Sequence, residues 1–256
     1  ARHPGTGSFA GTAPISGGFA HIFIPNATTL PSITISHDGK RLYVMSEVAD
    51  SRPNPDLSFN PNADPTESAN PILTGHRCMQ SSSIRQWNGL LTVVDVEKAI
   101  QGLGQQAITR VIAAGCSPVR AVESTDGKTL WVTARGDNRV LAYDVAKLTS
   151  DKPNESLLGY ADTGGAAPVG MALFYNNQLL AITNSNRFNL GDATSNDANV
   201  SILDVRNPAK ASVVLTLPAH YHNSFPRNIR VGADDTTLYV SNFLRGELQV
   251  VKTKIE

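Results

Sequence analysis

The sequence is poor in the features that mark several common classes of protein. Only two cysteines occur in 256 residues, which excludes a small scaffold held together by many disulfides. Basic and acidic side chains both number 22, so the formal net charge is zero and gives no general attraction to nucleic acid or to an anionic membrane. No apolar run approaches the roughly 20 residues that a membrane-spanning helix requires. We therefore expect neither nucleic acid nor a membrane as a partner.

Sequence motifs for catalysis and cofactor binding are scarce as well. The sequence contains no Gly-x-Ser-x-Gly elbow, no phosphate-binding loop and no dinucleotide fingerprint. Gly164-Gly165 precedes Ala166, Ala167 and Pro168, a pattern that favours a link between strands over a phosphate cradle. No cofactor and no metal site are predicted. The length fits one domain with a sizeable core, and residues 1–256 are predicted to form a single domain.

What the sequence does contain is a repeated unit of short strands joined by tight turns. The turn-and-strand string at 126–132 (DGKTLWV) recurs at 38–44 (DGKRLYV), 176–182 (NNQLLAI) and 234–240 (DDTTLYV). A proline opens each unit, at Pro31, Pro118, Pro168 and Pro226, and a third strand recurs at 89–96, 139–145, 199–205 and 246–252. Repeats of this size, built of strands without helices, predict an all-β propeller of four-stranded antiparallel blades.

The same residues resemble a known family. The opening proline, the Asp-Gly-Lys turn, the Leu-aromatic-Val strand and the final Asp-Val are similar to the YVTN-type repeat of lactonase-like β-propellers, from about Leu30 to the C-terminus. The resemblance implies a propeller from a superfamily that holds enzymes and binding modules. Relatives usually carry six or seven blades, whereas four repeats are visible here. The chain is then either an unusually small propeller or one part of a longer protein.

A short segment near the N-terminus is a candidate for the closing strand. Residues 19–25 (FAHIFIP) alternate like a strand, whereas the last repeat, at 224–256, provides only three strands. Pairing of residues 19–25 beside residues 246–252 would complete the last blade and remove two free sheet edges. We therefore predict that this N-terminal segment closes the ring.

Two insertions and the links between blades fall on the same face of the predicted propeller. The first insertion spans residues 48–86 and the second spans residues 186–198. Because strands alternate in direction, the ends of the second strands, the opening prolines and the segment 219–225 (AHYHNSF) all lie on this face. Loops on a rigid scaffold commonly carry the ligand site. We expect the functional site on this face.

The two cysteines also belong to this face, with Cys78 in the first insertion and Cys116 in a link between blades. A disulfide between them would tie the insertion to the scaffold, although two free thiols are the alternative. A bridge would imply an oxidising compartment. Together with the start at Ala1 rather than Met, which suits a mature, processed form, this predicts a secreted protein.

Arginines and asparagines are the candidate ligand-binding residues. Arg120 and Arg227 lie within two residues of an opening proline, near the inner rim, and Arg135, Arg187 and Arg245 follow second strands. Asn184 and Asn242 hold the place of the asparagine in the repeat motif of relatives. Several guanidinium groups near one channel mouth would suit a carboxylate or another anion. Alternatively, each arginine ties its loop to an acidic side chain or a backbone carbonyl.

The candidate catalytic residues are His220, His222 and Glu47. The two histidines alternate in an extended segment and could act as acid and base or hold a metal ion, or they could be ordinary loop residues. Glu47 follows the second strand of the first repeat. One hypothesis is therefore a lactonase-like enzyme that opens, closes or eliminates a ring of a carboxylated or sugar-derived molecule. The other is a propeller without catalysis that binds a glycan, peptide or protein on the same face.

Overall fold

The computed structural model describes residues 22, 24, 27–49, 88–187, 198–218 and 224–254. Their strands form four antiparallel sheets, which are the blades of a propeller, and a separate two-stranded pair. The predicted all-β fold with four blades is confirmed. The limits of the single domain predicted at 1–256 stay a prediction.

Each blade follows the order of its strands along the chain. Blade 1 consists of β2 (Ser32–Ile35), β3 (Arg41–Ser46), β5 (Asn88–Asp95) and β6 (Ile108–Cys116), and blade 2 of β7 (Pro118–Glu123), β8 (Thr129–Ala134), β9 (Arg139–Asp144) and β10 (Leu157–Asp162). Blade 3 consists of β11 (Pro168–Phe174), β12 (Leu179–Asn184), β13 (Asn199–Asp204) and β14 (Ser212–Pro218), and blade 4 of β15 (Pro226–Val231), β16 (Thr237–Asn242) and β17 (Glu247–Lys252). The short strands β1 (Ala27–Thr29) and β4 (Val48–Ala49) pair with each other.

Helices are few and short, as the pattern of repeats predicts. Two short α-helices, α1 (Val96–Ile100) and α2 (Val145–Leu148), each begin where a third strand ends. Asp95 and Asp144 cap them, because each carboxylate accepts a hydrogen bond from the backbone N–H three residues later. In blades 1 and 2 the Asp-Val end of the repeat is therefore a strand end followed by a capped helical turn. Within the described residues no helix is long and apolar enough to cross a membrane.

The turns between first and second strands are stabilised by a carboxylate. In blade 2 the Ser124 hydroxyl donates to Asp126 Oδ1 at 2.6 Å, and Asp126 also accepts from the backbone N–H of Lys128. In blade 4 a carboxylate stabilises the turn through different partners, because Asp234 accepts hydrogen bonds from the hydroxyl and the backbone N–H of Thr237. These hydrogen bonds lower the pKa of both aspartates below the usual value. Both acids therefore stay ionised, and hold their turns, through the mildly acidic range.

Apolar clusters fill the space between neighbouring blades. Blades 1 and 2 share a cluster around Tyr43 and Tyr143, blades 2 and 3 pack around Trp131, and blades 3 and 4 pack around Phe174. All four aromatic side chains are at most 1% exposed. Each blade thus depends on its neighbour to bury one face, as expected of a propeller.

The ring closure predicted for residues 19–25 is not seen in the described part of the chain. Of that segment only Ile22 and Ile24 are described, and both pack on blade 1 in a cluster with Val44 and Val94. Among the described strands β17 pairs with β16 alone. The inner strands contact in the order β2, β7, β11 and β15, and β15 makes no comparable contact with β2. The described blades follow one another in a row, and the pairing of residues 19–25 beside β17 falls largely outside the described residues and stays a prediction.

Candidate functional site

A cavity of about 380 Å³ lies at the face where first strands begin and second strands end. Its walls come from all four blades, and its lining includes the charged residues Glu47, Arg120, Arg135, Arg187 and Arg227. The apolar part of the lining is Pro31, Val119, Val169, Phe225, Phe243 and Leu244. The sequence analysis predicted that five arginines and Glu47 lie on one face. Four of these arginines and Glu47 meet in this cavity. Its volume falls within the range of small-molecule sites.

Arg120 crosses the central part of the site from blade 2 to blade 4. Its Nη2 donates to the side-chain oxygen of Asn228 at 2.7 Å, and its Nε is buried with no hydrogen-bond partner among the described residues. Burial, together with the nearby charges of Arg230 and Arg227, lowers the pKa of Arg120. The guanidinium remains charged at neutral pH, because its ordinary pKa lies above 12. Arg120 therefore holds a positive charge in a place that disfavours it.

Arg135 and Glu47 form an ion pair that joins blades 1 and 2 at one side of the cavity. Nη1 of Arg135 lies 2.8 Å from Oε1 of Glu47, and the two side chains are 7% and 18% exposed. Burial lowers the pKa of Arg135, the carboxylate of Glu47 opposes that shift, and Arg187 adds to it. Arg135 thus has the structural role that the sequence analysis gave as the alternative to ligand binding, because it is bound to an acidic side chain.

Blade 4 supplies an aromatic wall. The guanidinium of Arg227 stacks over the ring of Phe243 at 4.9 Å, and Phe243 meets Phe225 edge to face at a centroid distance of 5.7 Å. Phe225 precedes the opening proline of blade 4 and has a φ of 54°, which is uncommon for a bulky residue. The chain therefore holds an unfavourable backbone conformation at a residue that lines the cavity.

The charges of the lining do not balance. Four guanidinium groups face one carboxylate, which leaves an excess of three positive charges in the described lining of a chain whose formal charge is zero. Arg187 is exposed at the cavity, whereas Arg245, also predicted from its position after a second strand, is exposed and lies outside the lining. The described lining therefore carries a local excess of positive charge, although the chain as a whole has a formal charge of zero.

Asn184 and Asn242 stand apart from the cavity. Asn184 is fully buried, and its Nδ2 donates to Asn199 Oδ1 at 2.7 Å and to the Ser201 hydroxyl at 2.9 Å. Asn242 is 1% exposed, and its Nδ2 donates to a carboxylate oxygen of Glu247 at 3.3 Å. Both amides connect the second strand of a blade to the third strand. The structure does not bring either predicted ligand-binding asparagine to the lining.

Other candidates lie outside the described residues. His220 and His222 do, and so does Cys78, the predicted disulfide partner of Cys116. Cys116 itself is buried at the end of β6, where its backbone N–H donates to Asp137 Oδ2 at 2.8 Å. The acid–base role of the histidines and the disulfide stay predictions. Among the residues that the structure describes, no group of three metal-ligating side chains comes together.

Sequence reasoning missed Asn228 and Phe243, and it placed Phe225 on this face only as part of the segment 219–225, without a role in the site. Asn228 is the partner of Arg120, and the two residues are separated by 108 positions. Phe225 and Phe243 flank the ends of the first two strands of blade 4, at positions equivalent to those of Ser117 and Arg135 in blade 2. The only available signal was the appearance of a large aromatic residue beside an opening proline, where the other units have Leu30, Ser117 and Ala167.

Comparisons with known proteins agree with this architecture. No protein-family model and no curated protein matches the chain. A provisionally assigned 6-phosphogluconolactonase from Bacteroides uniformis ATCC 8492 is similar in structure, with a TM-score of 0.54 and 10% identity over 93% of this chain and 56% of that one. A second such protein, from Bacteroides fragilis NCTC 9343, matches with a TM-score of 0.53 and 13% identity over 88% of this chain and 51% of that one.

The propeller domain of Cps50 (Swd1) from Myceliophteria thermophila is similar as well, with a TM-score of 0.52 and 12% identity over 88% of this chain and 54% of that one. The chain thus spans about half the length of the structures it matches. Identities this low establish the fold but not the activity. The described chain is a four-blade part of the β-propeller fold, shared with lactonase-like and other propellers.

Proposed function

We propose that the cavity binds a small anionic molecule, a carboxylated or phosphorylated compound derived from a sugar. The observation that carries the proposal is the convergence of four guanidinium groups on one cavity that contains a single carboxylate among its described lining. Arginine binds carboxylate and phosphate oxygens through a planar fork of donors. Phe243 and Phe225 offer an apolar surface for the body of the ligand. A charged head and a sugar-derived carbon skeleton together match this lining.

Arg120 and Arg227 are the residues that we expect to hold the anionic group. Arg120 brings a buried donor without a partner among the described residues, and Arg227 is exposed and oriented by its contact with Phe243. Arg135 is less available because Glu47 already binds it. The anion would therefore lie between blades 2 and 4, where the positive charges of two arginines add.

Replacing Arg120 with leucine should weaken the binding of gluconate by roughly ten- to a hundredfold. A charge-assisted hydrogen bond contributes about 1.5–3 kcal/mol, which corresponds to that range. Isothermal titration of the chain with gluconate, and with glucose as the uncharged compound, measures the effect. Arg227→Leu should act in the same way. The matched control is Arg206→Leu, since Arg206 is an exposed arginine bound to Asp204 away from the cavity.

Equal binding of glucose and gluconate, or unchanged binding in both variants, would contradict the proposal. Loss of several kcal/mol of unfolding free energy with intact gluconate binding would instead make the two arginines structural. The binding measurement and a urea titration of the same samples therefore separate the two roles.

We further propose that the cavity catalyses the hydrolysis of a lactone. A lactonase-like enzyme would hydrolyse gluconolactone faster than the solvent does, with Glu47, His220 or His222 moving the proton. The names of the two Bacteroides structures favour this reaction. A propeller that only binds a glycan, peptide or protein would leave the lactone unchanged. The volume of about 380 Å³ favours a small ligand over a broad protein surface.

We also propose that the protein is secreted and that Cys78 and Cys116 are bonded to each other. Cys116 ends β6 at the face that carries the cavity, and the order of the strands predicts the same face for Cys78, so a bridge would hold the insertion at residues 48–86 beside the cavity. Mass measurement after alkylation should show no modified thiol before reduction and two after it. Two alkylated thiols in the unreduced protein would exclude the bridge. Such a result would leave the anion site untouched, because no cysteine is part of the described lining.

A further inference from the structure

The inner strands β11 and β15 each reach the cavity through the extra residue of a β-bulge. Strand pairing in blade 4 shifts register between Pro226 and Asn228, so that Arg227 has no residue opposite it on β16. In blade 3 the corresponding shift leaves Val169 without a residue opposite it on β12. A bulge turns the extra side chain in a new direction, and both Arg227 and Val169 line the cavity. The bulges therefore determine which side chains of these strands face a ligand.

One buried hydroxyl connects the two bulges. A bulge interrupts the regular ladder of a sheet, so its backbone groups need other hydrogen-bond partners. The backbone N–H of Gly170 donates to Thr183 Oγ1 at 2.8 Å, and the Thr183 hydroxyl donates to the carbonyl oxygen of Arg227 at 3.3 Å. Thr183 belongs to β12 of blade 3 and is fully buried. It therefore holds the backbone of its own blade and that of the next blade at once.

Blades 1 and 2 meet through a contact of the same kind. The Ser32 hydroxyl on β2 donates to the carbonyl oxygen of Val119, which follows the opening proline of blade 2 and lines the cavity. Within blade 2, Thr133 Oγ1 accepts a hydrogen bond from the backbone N–H of Arg120 at 3.1 Å, as Thr183 does in blade 3. Hydroxyl groups therefore fix the backbone of lining residues in more than one blade.

Gly170 permits the close approach of blade 4 to blade 3. A Cβ at this position would lie 2.6 Å from the carbonyl oxygen of Arg227 and 2.7 Å from Thr183 Oγ1. Any larger residue would therefore push the backbone of Arg227 away from the hydroxyl that holds it. The position of the Arg227 backbone is thus set by blade 3 as well as by its own blade.

We infer that Thr183 is a positioning residue for Arg227. Thr183 lies outside the described lining of the cavity and acts through the backbone of Arg227. Holding that carbonyl fixes the bulge, and the bulge directs the guanidinium to the place where it stacks over Phe243 at 4.9 Å. The inference rests on the proposed function, in which Arg227 binds the anionic group of the ligand.

Replacing Thr183 with valine should weaken the binding of gluconate by roughly five- to tenfold, because valine keeps the shape of the side chain but removes the hydroxyl. Thr183→Ser keeps the hydroxyl and should bind almost as the native chain does. The matched control is Thr92→Val. Thr92 is a fully buried threonine on β5 whose hydroxyl has no hydrogen-bond partner among the described residues. Its replacement should leave the affinity measured by isothermal titration unchanged.

The same substitution made together with Arg227→Leu separates positioning from a general effect on the fold. In that background Thr183→Val should cause no further loss of affinity, because no guanidinium remains to be positioned. An equal loss in both backgrounds would overturn the inference, since Thr183 would then act on the whole site. Native affinity of Thr183→Val, measured beside a weakened Arg227→Leu, would overturn it as well and leave the proposed function intact.

Nuclear magnetic resonance of the protein without ligand tests the inference apart from the proposed function. The ring of Phe243 should shift the side-chain resonances of Arg227 upfield, because the guanidinium stacks over it. Thr183→Val should reduce this shift, whereas Thr183→Ser and Thr92→Val should preserve it. A reduced shift in a protein that binds no gluconate would support the positioning role and reject the proposed function. An unchanged shift in Thr183→Val would overturn the positioning role.

Discussion

Replacing Gly89 with alanine is expected to lower the unfolding free energy by about 3 kcal/mol or more. A Cβ at this position would lie 2.0 Å from Cδ of Pro118 and 2.4 Å from the backbone oxygen of Ser46. Neither neighbour is the flexible end of a side chain, because one belongs to a proline ring and the other to the backbone of β3. Overpacking of this severity forces two blades apart. Urea titration at a fixed protein concentration measures the loss.

Gly232→Ala provides the comparison for Gly89→Ala. Its Cβ would come no closer than 3.0 Å to a heavy atom, and that atom is the end of the Asp234 side chain. We therefore expect a change of less than about 1 kcal/mol there. A Gly89→Ala protein as stable as the Gly232→Ala protein would show that the contact between β5 and Pro118 is looser than the structure has it.

The sequence predicts the strand that contains Gly89, but it does not predict that this position requires glycine. The string GLLTVVDV predicts a third strand from its β-branched residues, and β5 covers this string up to Asp95, whereas Val96 begins α1. The approach of Pro118, which opens the next unit, is a contact between blades. A periodic pattern specifies which face of a strand is buried, but it does not specify how closely a neighbouring blade approaches it.

At the site, too, the sequence predicts what depends on a single blade but not what depends on the contact between blades. Topology alone places Arg120, Arg135, Arg187 and Arg227 on one face, because strand direction alternates regularly within each blade. The partner of each arginine depends on the distance between blades, so Glu47 and Asn228 could not be assigned from the repeat. Asn184 holds a position typical of the family motif, but its buried amide connects two strands of its own blade. The motif therefore predicted where Asn184 lies in the blade, but it did not predict that Asn184 has a structural role rather than a ligand-binding one.

Replacing Glu47 with alanine is the second change for which we expect a large effect. The substitution removes the carboxylate that lies 2.8 Å from Nη1 of Arg135, a guanidinium whose side chain is only 7% exposed. Removing one member of a largely buried ion pair costs about 3 kcal/mol or more, because the remaining charge keeps its desolvation penalty. Urea titration should show this loss. Glu47→Leu combined with Arg135→Met should recover most of it, since both charges are then gone.

The same substitution should change the ligand site in the opposite direction. Glu47 contributes the one negative charge in the described lining, so its removal raises the excess positive charge from three to four. Gluconate should then bind more tightly to Glu47→Ala than to the native chain, and added formate should restore part of the lost stability by taking the place of the carboxylate. Formate should not stabilise the double variant, which lacks the guanidinium that would hold it. If the stability of Glu47→Ala does not respond to formate while gluconate binding weakens, Glu47 takes part in holding the ligand. The carboxylate would then be a candidate to move the proton in lactone hydrolysis rather than a charge that competes with the ligand for Arg135.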